Sequence, residues 1–541
     1  MICVSINQES RRLALADMVN AKHFCDIMEV RLDRFGKSPE IGDLMAAKGK
    51  KPVIMTCRRP DDGGFWDGTE ADRLTILRQC IISKAEYVEI ELDAADDIRP
   101  FPPSKRVISY TNLKETPPDI LEIYDEMKAK RPDVIKLVTL ARTPEEAWPL
   151  VQILAKAAVP TVVVGLGKPG VMLSVLSRKI GAPWVYAALE RGMEAYPGQP
   201  TVSDLDAIYR LQDIEKTTKL IGVTGFSDRD QITVAALNAL FHAMEMPYRC
   251  LPIGVGNMKI FRKIMEACKL NGAVIADEHQ ASILDMDLEL HGLAKETQSA
   301  DVVIRKNEAW HGVHLACKAW MKALTSLLAT RYEGGEPIKG RLIMIAGLNP
   351  MALVIARDVQ RAGGSAILAC RDKKAGQVAA QKIGCRYLAL DALYSTMHDV
   401  LIVCENAVDQ RTGKTELYPS YLKPGMFVMD LTAGVRLTTF LREAQSRTGA
   451  IVQPLELALD VLELQAKTLI GKDIPRDLLR AAIPERFLSK AITAPPPGMS
   501  ALARNRGGGD VQPPGGASCR GRHAGGVQFP HAGVLRRRHS P

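Results

Sequence analysis

The stretch Asp133–Leu140, "DVIKLVTL", decides how the first half of the chain is read. It is a Val/Ile/Leu-rich run of strand length after a Pro-containing turn, "KRPD", the pattern of a parallel strand covered by helices on both faces. Lys136 interrupts it. An unpaired ammonium is costly to bury, so this lysine needs a chemical reason.

Seven further runs of the same character accompany it: "MICVSI", "FCDIMEVRLD", "KKPVIMTCR", "AEYVEIELD", "KRVISYT", "VPTVVVGLG" and "APWVYAAL". Between them lie helical patterns such as "EADRLTILRQCIISK", "PPDILEIYDEMKAK" and "TPEEAWPLVQILAKA". Eight strands, most followed by a helix, predict an α/β fold that begins with a (β/α)8 barrel; a doubly wound open sheet is the alternative. Barrel chemistry sits at the C-terminal strand ends, and polar residues recur there. Glu29 and Arg31 stand in "MEVRLD", Arg58 in "MTCRR", Glu89 and Glu91 in "VEIELD", and Gln199 in "YPGQPT". One charged residue on a strand reads as a solvated edge, but one per strand at the same end of a barrel reads as a site.

Composition limits what else the chain can be. Its 541 residues are 46% hydrophobic and 25% charged, enough for several cores. No apolar run reaches the roughly 18 residues of a membrane span, and the N-terminus opens on a strand-like run, so a cytoplasmic protein without membrane association is expected. The 11 cysteines are scattered singly, with no CxxC pair and no His at zinc spacing, which predicts reduced thiols and no metal. Of the net charge of +9, the Gly/Pro/Arg-rich stretch 501–541 carries +6, from seven Arg and one Asp. The body is therefore nearly balanced, and no nucleic-acid partner is expected. Residues 491–541 read as a disordered, solvated tail.

The motifs "MEVRLDRF", "MTCRRPDDGGFWDGTEADR", "YVEIELD", "VISYTNLKETP", "DVIKLVTLART", "GKPGVML" and "AYPGQPT" resemble, in order and spacing, those of type I 3-dehydroquinate dehydratase. The resemblance covers residues 1–215 and implies that Lys136 forms a Schiff base with the substrate ketone. Burial disfavours the ammonium form and so supplies a neutral amine able to attack a carbonyl. It further implies substrate-binding roles for Glu29, Arg31, Arg58 and Gln199, with Asp62 where the family usually has Glu. Other positions depart from the pattern. Thr111 stands at the general acid/base histidine and Asn112 at an acidic position. Leu173 and Ser174 fall on a Ser-Arg pair that clamps the substrate carboxylate, and Ala195 falls on a substrate-binding serine. Arg178 would replace the missing arginine only if the loop slid by four residues.

Behind the barrel, "TKLIGVTGFSDRDQITVAALNALFHAMEMPYRCLPI", "KGRLIMIAGLNPMALVIARDVQRAGGSAILACRDKKAGQVA", "MFVMDLTAG" and "IVQPLELALDVLELQAKTLIG" are similar to shikimate dehydrogenase, fused as in the bifunctional plant-type enzymes. This implies a substrate-binding region at 216–330 and a Rossmann region at 331–490, with NADP as cofactor held through Gly347 and Arg371. Here too positions are altered: Gln231 and Thr233 replace paired serines, Gln280 the catalytic lysine, and Val313 lies near the place of the catalytic aspartate. Leu348, Asn349 and Pro350 crowd the phosphate turn. The resulting expectation is a shikimate-pathway enzyme acting on small molecules, with a homodimer left open; the alternative is a double pseudoenzyme that binds ligands or acts as a scaffold.

Overall fold

The computed structural model describes residues 1–35, 39–167, 172–196, 198–332, 335–405, 417–483 and 485–488. The tail at 491–541, and 168–171 of the "GKPGVML" motif, lie outside the described residues.

Eight strands form the first sheet: β1 (Ile2–Ile6), β2 (Ile27–Arg31), β3 (Val53–Thr56), β4 (Tyr87–Glu91), β5 (Lys105–Asn112), β6 (Val134–Leu140), β7 (Thr161–Leu166) and β8 (Val185–Ala187). All the pairings are parallel and run β7-β6-β5-β4-β3-β2-β1-β8. An open doubly wound sheet would reverse direction from its first strand. This one instead returns β8 to β1, through Ile2 opposite Val185, as a barrel does. Among the described residues β7 and β8 are not hydrogen-bonded to each other, and Leu173, Trp184, Tyr186 and Tyr196 line the seam between them. β6 is buried from Val134 to Thr139, which accounts for its continuous apolar run.

The intervening helices begin where the sequence supplies caps. Thr69 accepts from the Asp72 amide at the start of the helix Glu70–Ile82, and Thr143 from the Glu146 amide, with Pro at the first helical position, at the start of Pro144–Lys156. The helix Glu70–Ile82 buries one face and leaves the other to solvent, whereas Pro144–Lys156 is buried or half-buried from Glu145 to Leu154 and also packs against the helix Met258–Ala267. They hold the strand ends in fixed register, and that register positions the site.

The second half contains two more sheets. The first comprises β9 (Lys219–Val223), β10 (Tyr248–Pro252), β11 (Leu270–Val274), β12 (Glu289–Leu290), β13 (Val302–Lys306) and β14 (Ala309–Val313), in the order β10-β9-β11-β13-β14-β12. The helix Asp228–Ala243 is tied to it by Asn238, whose amide clasps both the carbonyl and the N–H of Cys250 at 2.8 Å. The other sheet is fully parallel, with β15 (Leu342–Ala346), β16 (Ser365–Cys370), β17 (Arg386–Ala389), β18 (Val400–Val403) and β19 (Phe427–Asp430) in the order β17-β16-β15-β18-β19. Its strand order reverses between β15 and β18, the Rossmann-type position at which a crevice opens beyond the strand ends. The helix Pro454–Ile470 then packs back on β11 and β13. No helix among the described residues is long and apolar enough to cross a membrane.

Candidate active site

Lys136 is the third residue of β6 and only 2% exposed. Its surroundings differ from the apolar shell expected of an isolated lysine. Nζ donates to Glu29 Oε2 at 2.5 Å and to Glu89 Oε2 at 2.8 Å, and lies 4.4 Å from the centre of the Tyr186 ring. The Tyr186 hydroxyl donates to the same Glu29 oxygen at 2.7 Å. Arg58 closes the group, with Nη2 at 3.2 Å from both Glu29 oxygens and from Glu89 Oε1. Two cations thus face two carboxylates, which is how buried charges become tolerable.

The titration of Glu29, Arg58 and Tyr186 follows from this arrangement. Burial alone would raise the Glu29 carboxyl, but Lys136 and then Arg58 outweigh it and hold the group well below the ordinary carboxylate range. Burial also opposes the Arg58 guanidinium, yet Glu89 and Glu29 raise it above its usual value. Burial, followed by the neighbouring Glu29 charge, pushes the Tyr186 phenol well up, so that it stays a neutral donor. Glu89 Oε1 is buried and, although within ion-pair distance of Arg58, has no aligned hydrogen bond.

The other sequence-predicted residues divide into two groups. Arg31 is held away from the amine by a bidentate pair with Asp33, at 2.7 and 3.0 Å, and by the Gly63 carbonyl. Asp62 pairs with Arg59 at 3.0 Å, and burial raises its carboxyl against the pull of that arginine. Gln199 is buried and accepts from the Ala195 amide at 2.7 Å, which braces the loop after β8. Only Glu29 and Arg58 among the predicted binding residues touch the Lys136 cluster. Glu91 is taken up by Arg73, a fully buried guanidinium 2.7 Å away that also donates to the Cys57 carbonyl.

Thr111 lies on β5 opposite Val138, two residues beyond the Ser109–Lys136 pair, and is partly exposed. Asn112 spends its side-chain oxygen on the amides of Lys114 and Glu115, forming a turn. Arg178 donates to the carbonyls of Leu211 and Gln212 and so does not stand in for the arginine replaced at Ser174. Tyr186 is the participant that the sequence reading did not name; Glu89 was named there beside Glu91 as a strand-end carboxylate, without a role of its own. The aromatic residue at the centre of the last barrel strand was the available signal for Tyr186.

In the second half a cleft of about 730 Å³ opens beyond β15, β18 and β19. Asp228, Asp277, Glu278 and Glu405 line it against Arg229 and Arg436, so it is unfavourable to a polyanion. Gln280 is buried there, donating to Asp277 at 3.1 Å while its oxygen has no protein partner. Gln231 is exposed, and Thr233 donates to the Arg229 carbonyl within its own helix. Val313 sits at the end of β14, where its carbonyl accepts from Asp301 N–H. Asp301 itself is buried and caps the next helix through the Leu315 and Ala316 amides; burial raises its carboxyl.

The dinucleotide turn does not fit the pyrophosphate that NADP would bring. Gly347 has φ +130, and a Cβ there would meet the Glu405 Cβ at 2.8 Å. The Leu348 amide donates to Glu405 Oε2 at 3.2 Å, so a carboxylate holds the place of the anion. Asn349 caps the helix Pro350–Arg361 through the Ala352 amide, and Pro350 has no N–H to give. Arg371 follows directly on β16.

The type I 3-dehydroquinase family model matches residues 2–216. A 3-dehydroquinate dehydratase of Methanopyrus kandleri is 34% identical over 191 residues, which is 34% of this chain and 87% of the relative. The chloroplastic bifunctional 3-dehydroquinate dehydratase/shikimate dehydrogenase of Arabidopsis thaliana is 22% identical over 501 residues, 88% of this chain and 83% of that one. A solved structure of the dehydroquinate dehydratase and shikimate dehydrogenase from S. pombe AroM covers 89% of this chain and 98% of its own, at 14% identity and a TM-score of 0.40. The chain belongs to the type I 3-dehydroquinase family, with a shikimate dehydrogenase-like region fused behind its barrel.

Proposed function

We propose that the barrel dehydrates 3-dehydroquinate to 3-dehydroshikimate in the shikimate pathway through a Schiff base on Lys136. The observation that carries this reading is the Lys136 amine at the barrel centre between Glu29 and Glu89. Glu29 holds the amine in place while a proton passes from Nζ to the ketone oxygen, freeing the lone pair to attack the ketone carbon. The carbinolamine then loses its oxygen as water, leaving an iminium that withdraws electrons from the neighbouring C–H bond. Thr111 has no accessible pKa for the next proton transfer. Glu89, 2.8 Å from Nζ and with one oxygen lacking a hydrogen bond, is the carboxylate placed to receive that proton. The substrate hydroxyl leaves as water, and hydrolysis of the imine returns the enone product and the free amine.

We infer that residues 216–330 and 331–490 retain a substrate-binding region and a Rossmann region in which reduction has lapsed. Gln280 cannot supply a proton at neutral pH, and Glu405 competes for the dinucleotide turn. Arg371 and Gly347 stay the positions at which NADP, the cofactor implied by the resemblance, would be sought. Product formation from 3-dehydroquinate, followed by the absorbance of the conjugated product in the wild type and in Lys136→Met, tests the proposal. Thr111 and Ser174, at the places of the family's proton carrier and carboxylate clamp, favour a second reading, a ligand-binding protein without turnover, which predicts an amine adduct but no product.

A further inference from the structure

We propose a surface site for a zinc-class divalent cation built from Glu289, His291 and His311, outside both clefts. The backbone brings the three together. β12 pairs with β14 so that Glu289 lies opposite His311 and Leu290 opposite Gly312. The His291 amide then donates to the Gly312 carbonyl at 3.0 Å, which extends the pairing by one residue. Side chains alternate along a strand, so Glu289 and His291 share one face. Gly312 fixes which face this is: the Leu290 side chain lies where a Cβ on Gly312 would be, 2.8 Å from it, so Leu290 turns inward and its two neighbours turn out.

The donor atoms converge as a metal requires. His291 Nε2 and His311 Nδ1 are 2.8 Å apart, His311 Nδ1 and Glu289 Oε2 are 3.4 Å apart, and all three lie within 4.8 Å of one another. Ligands bound tetrahedrally at about 2.0–2.1 Å stand roughly 3.3 Å from each other, so a small opening of the two rings admits the ion. Two imidazoles and one carboxylate suit zinc and its borderline neighbours rather than magnesium, and water completes the fourth position. Cysteine spacing gives no sign of this site, because its histidines come from strands 20 residues apart in sequence. β12 is a two-residue edge strand, so the ion would clasp it to β14.

Calorimetric titration of the full chain with zinc chloride tests the site, with unfolding midpoints measured alongside. The wild type should bind one equivalent with a dissociation constant on the order of micromolar, and its midpoint should rise with zinc. Loss of an outer-shell partner alone costs metal sites roughly 10- to 100-fold, so His291→Ala and His311→Ala should each lose at least about that much. Glu289→Gln should lose less, the exposed His23→Ala nothing, and magnesium in ten-fold excess should not compete. Zinc binding unchanged in His311→Ala, displacement by magnesium, or no binding at millimolar zinc would each overturn the proposal.

Discussion

The Lys136 ammonium and the Glu29 carboxylate meet at 2.5 Å inside the barrel, with side chains 2% and 3% exposed. They belong to a balanced group in which Arg58 and Glu89 supply the other pair of charges. Breaking such a buried group is costly because it strands a partner, whereas the intact group adds less to stability than its short distances suggest.

Acid sensitivity follows from Glu29. Its folded-state pKa lies below the unfolded value of about 4.3, so the ionised carboxylate stabilises the fold above that pH. That contribution is lost as pH falls through the folded value. The unfolding midpoint of the wild type should therefore drop on acidification below about pH 4.3, and Glu29→Gln should flatten the drop. At neutral pH, Glu29→Gln should cost about 3–5 kcal/mol, measured by urea unfolding. An unchanged acid limb in the variant would remove Glu29 from this role.

Replacing the missing proton carrier should restore rate. Thr111→His places an imidazole two residues beyond the Lys136 level of β5, and dehydratase turnover should rise by about ten-fold or more, the low end of general acid/base contributions nearing 10²-fold. If only Thr111→His combined with Ser174→Arg gains activity, the carboxylate clamp was the limiting loss.

The two barrel carboxylates separate catalysis from capture. Glu89→Gln should keep the amine adduct but lower product formation by about 10²-fold, read as single-turnover kinetics beside adduct mass. Loss of adduct and product together would assign Glu89 to capture instead.

Much of this site was legible in the sequence, for identifiable reasons. Lys136 stood out because a buried parallel strand has no other use for a charge, and the eight strands were marked by apolar runs between amphipathic helices. The division of labour between Glu89 and Glu91 was not legible. The two lie two residues apart on one strand, and only Arg73, reaching from the helix Glu70–Ile82 to a distance of 2.7 Å, shows that Glu91 is already paired. Arg31 is similar: Asp33, two residues along, takes its guanidinium. Pairings across strands, such as Tyr186 with Glu29, span 157 residues and leave no local pattern.

Dinucleotide affinity should respond to Glu405. In the wild type NADPH should bind only at about millimolar concentrations, and Glu405→Ala should tighten it by about ten-fold by releasing the Leu348 amide and removing a like charge. Calorimetric titration of the full chain checks this. Micromolar binding by the wild type would show that the turn rearranges and that reduction deserves a direct assay.

The chemistry of the barrel rests on attack of the Lys136 amine on a ketone. The most direct measurement is borohydride reduction in the presence of saturating 3-dehydroquinate, followed by peptide mass mapping. One added ligand mass is expected on the peptide carrying Lys136, absent in Lys136→Met and retained in Glu89→Gln. An unmodified Lys136 peptide at a concentration shown to saturate binding, or an adduct on another lysine, would contradict it.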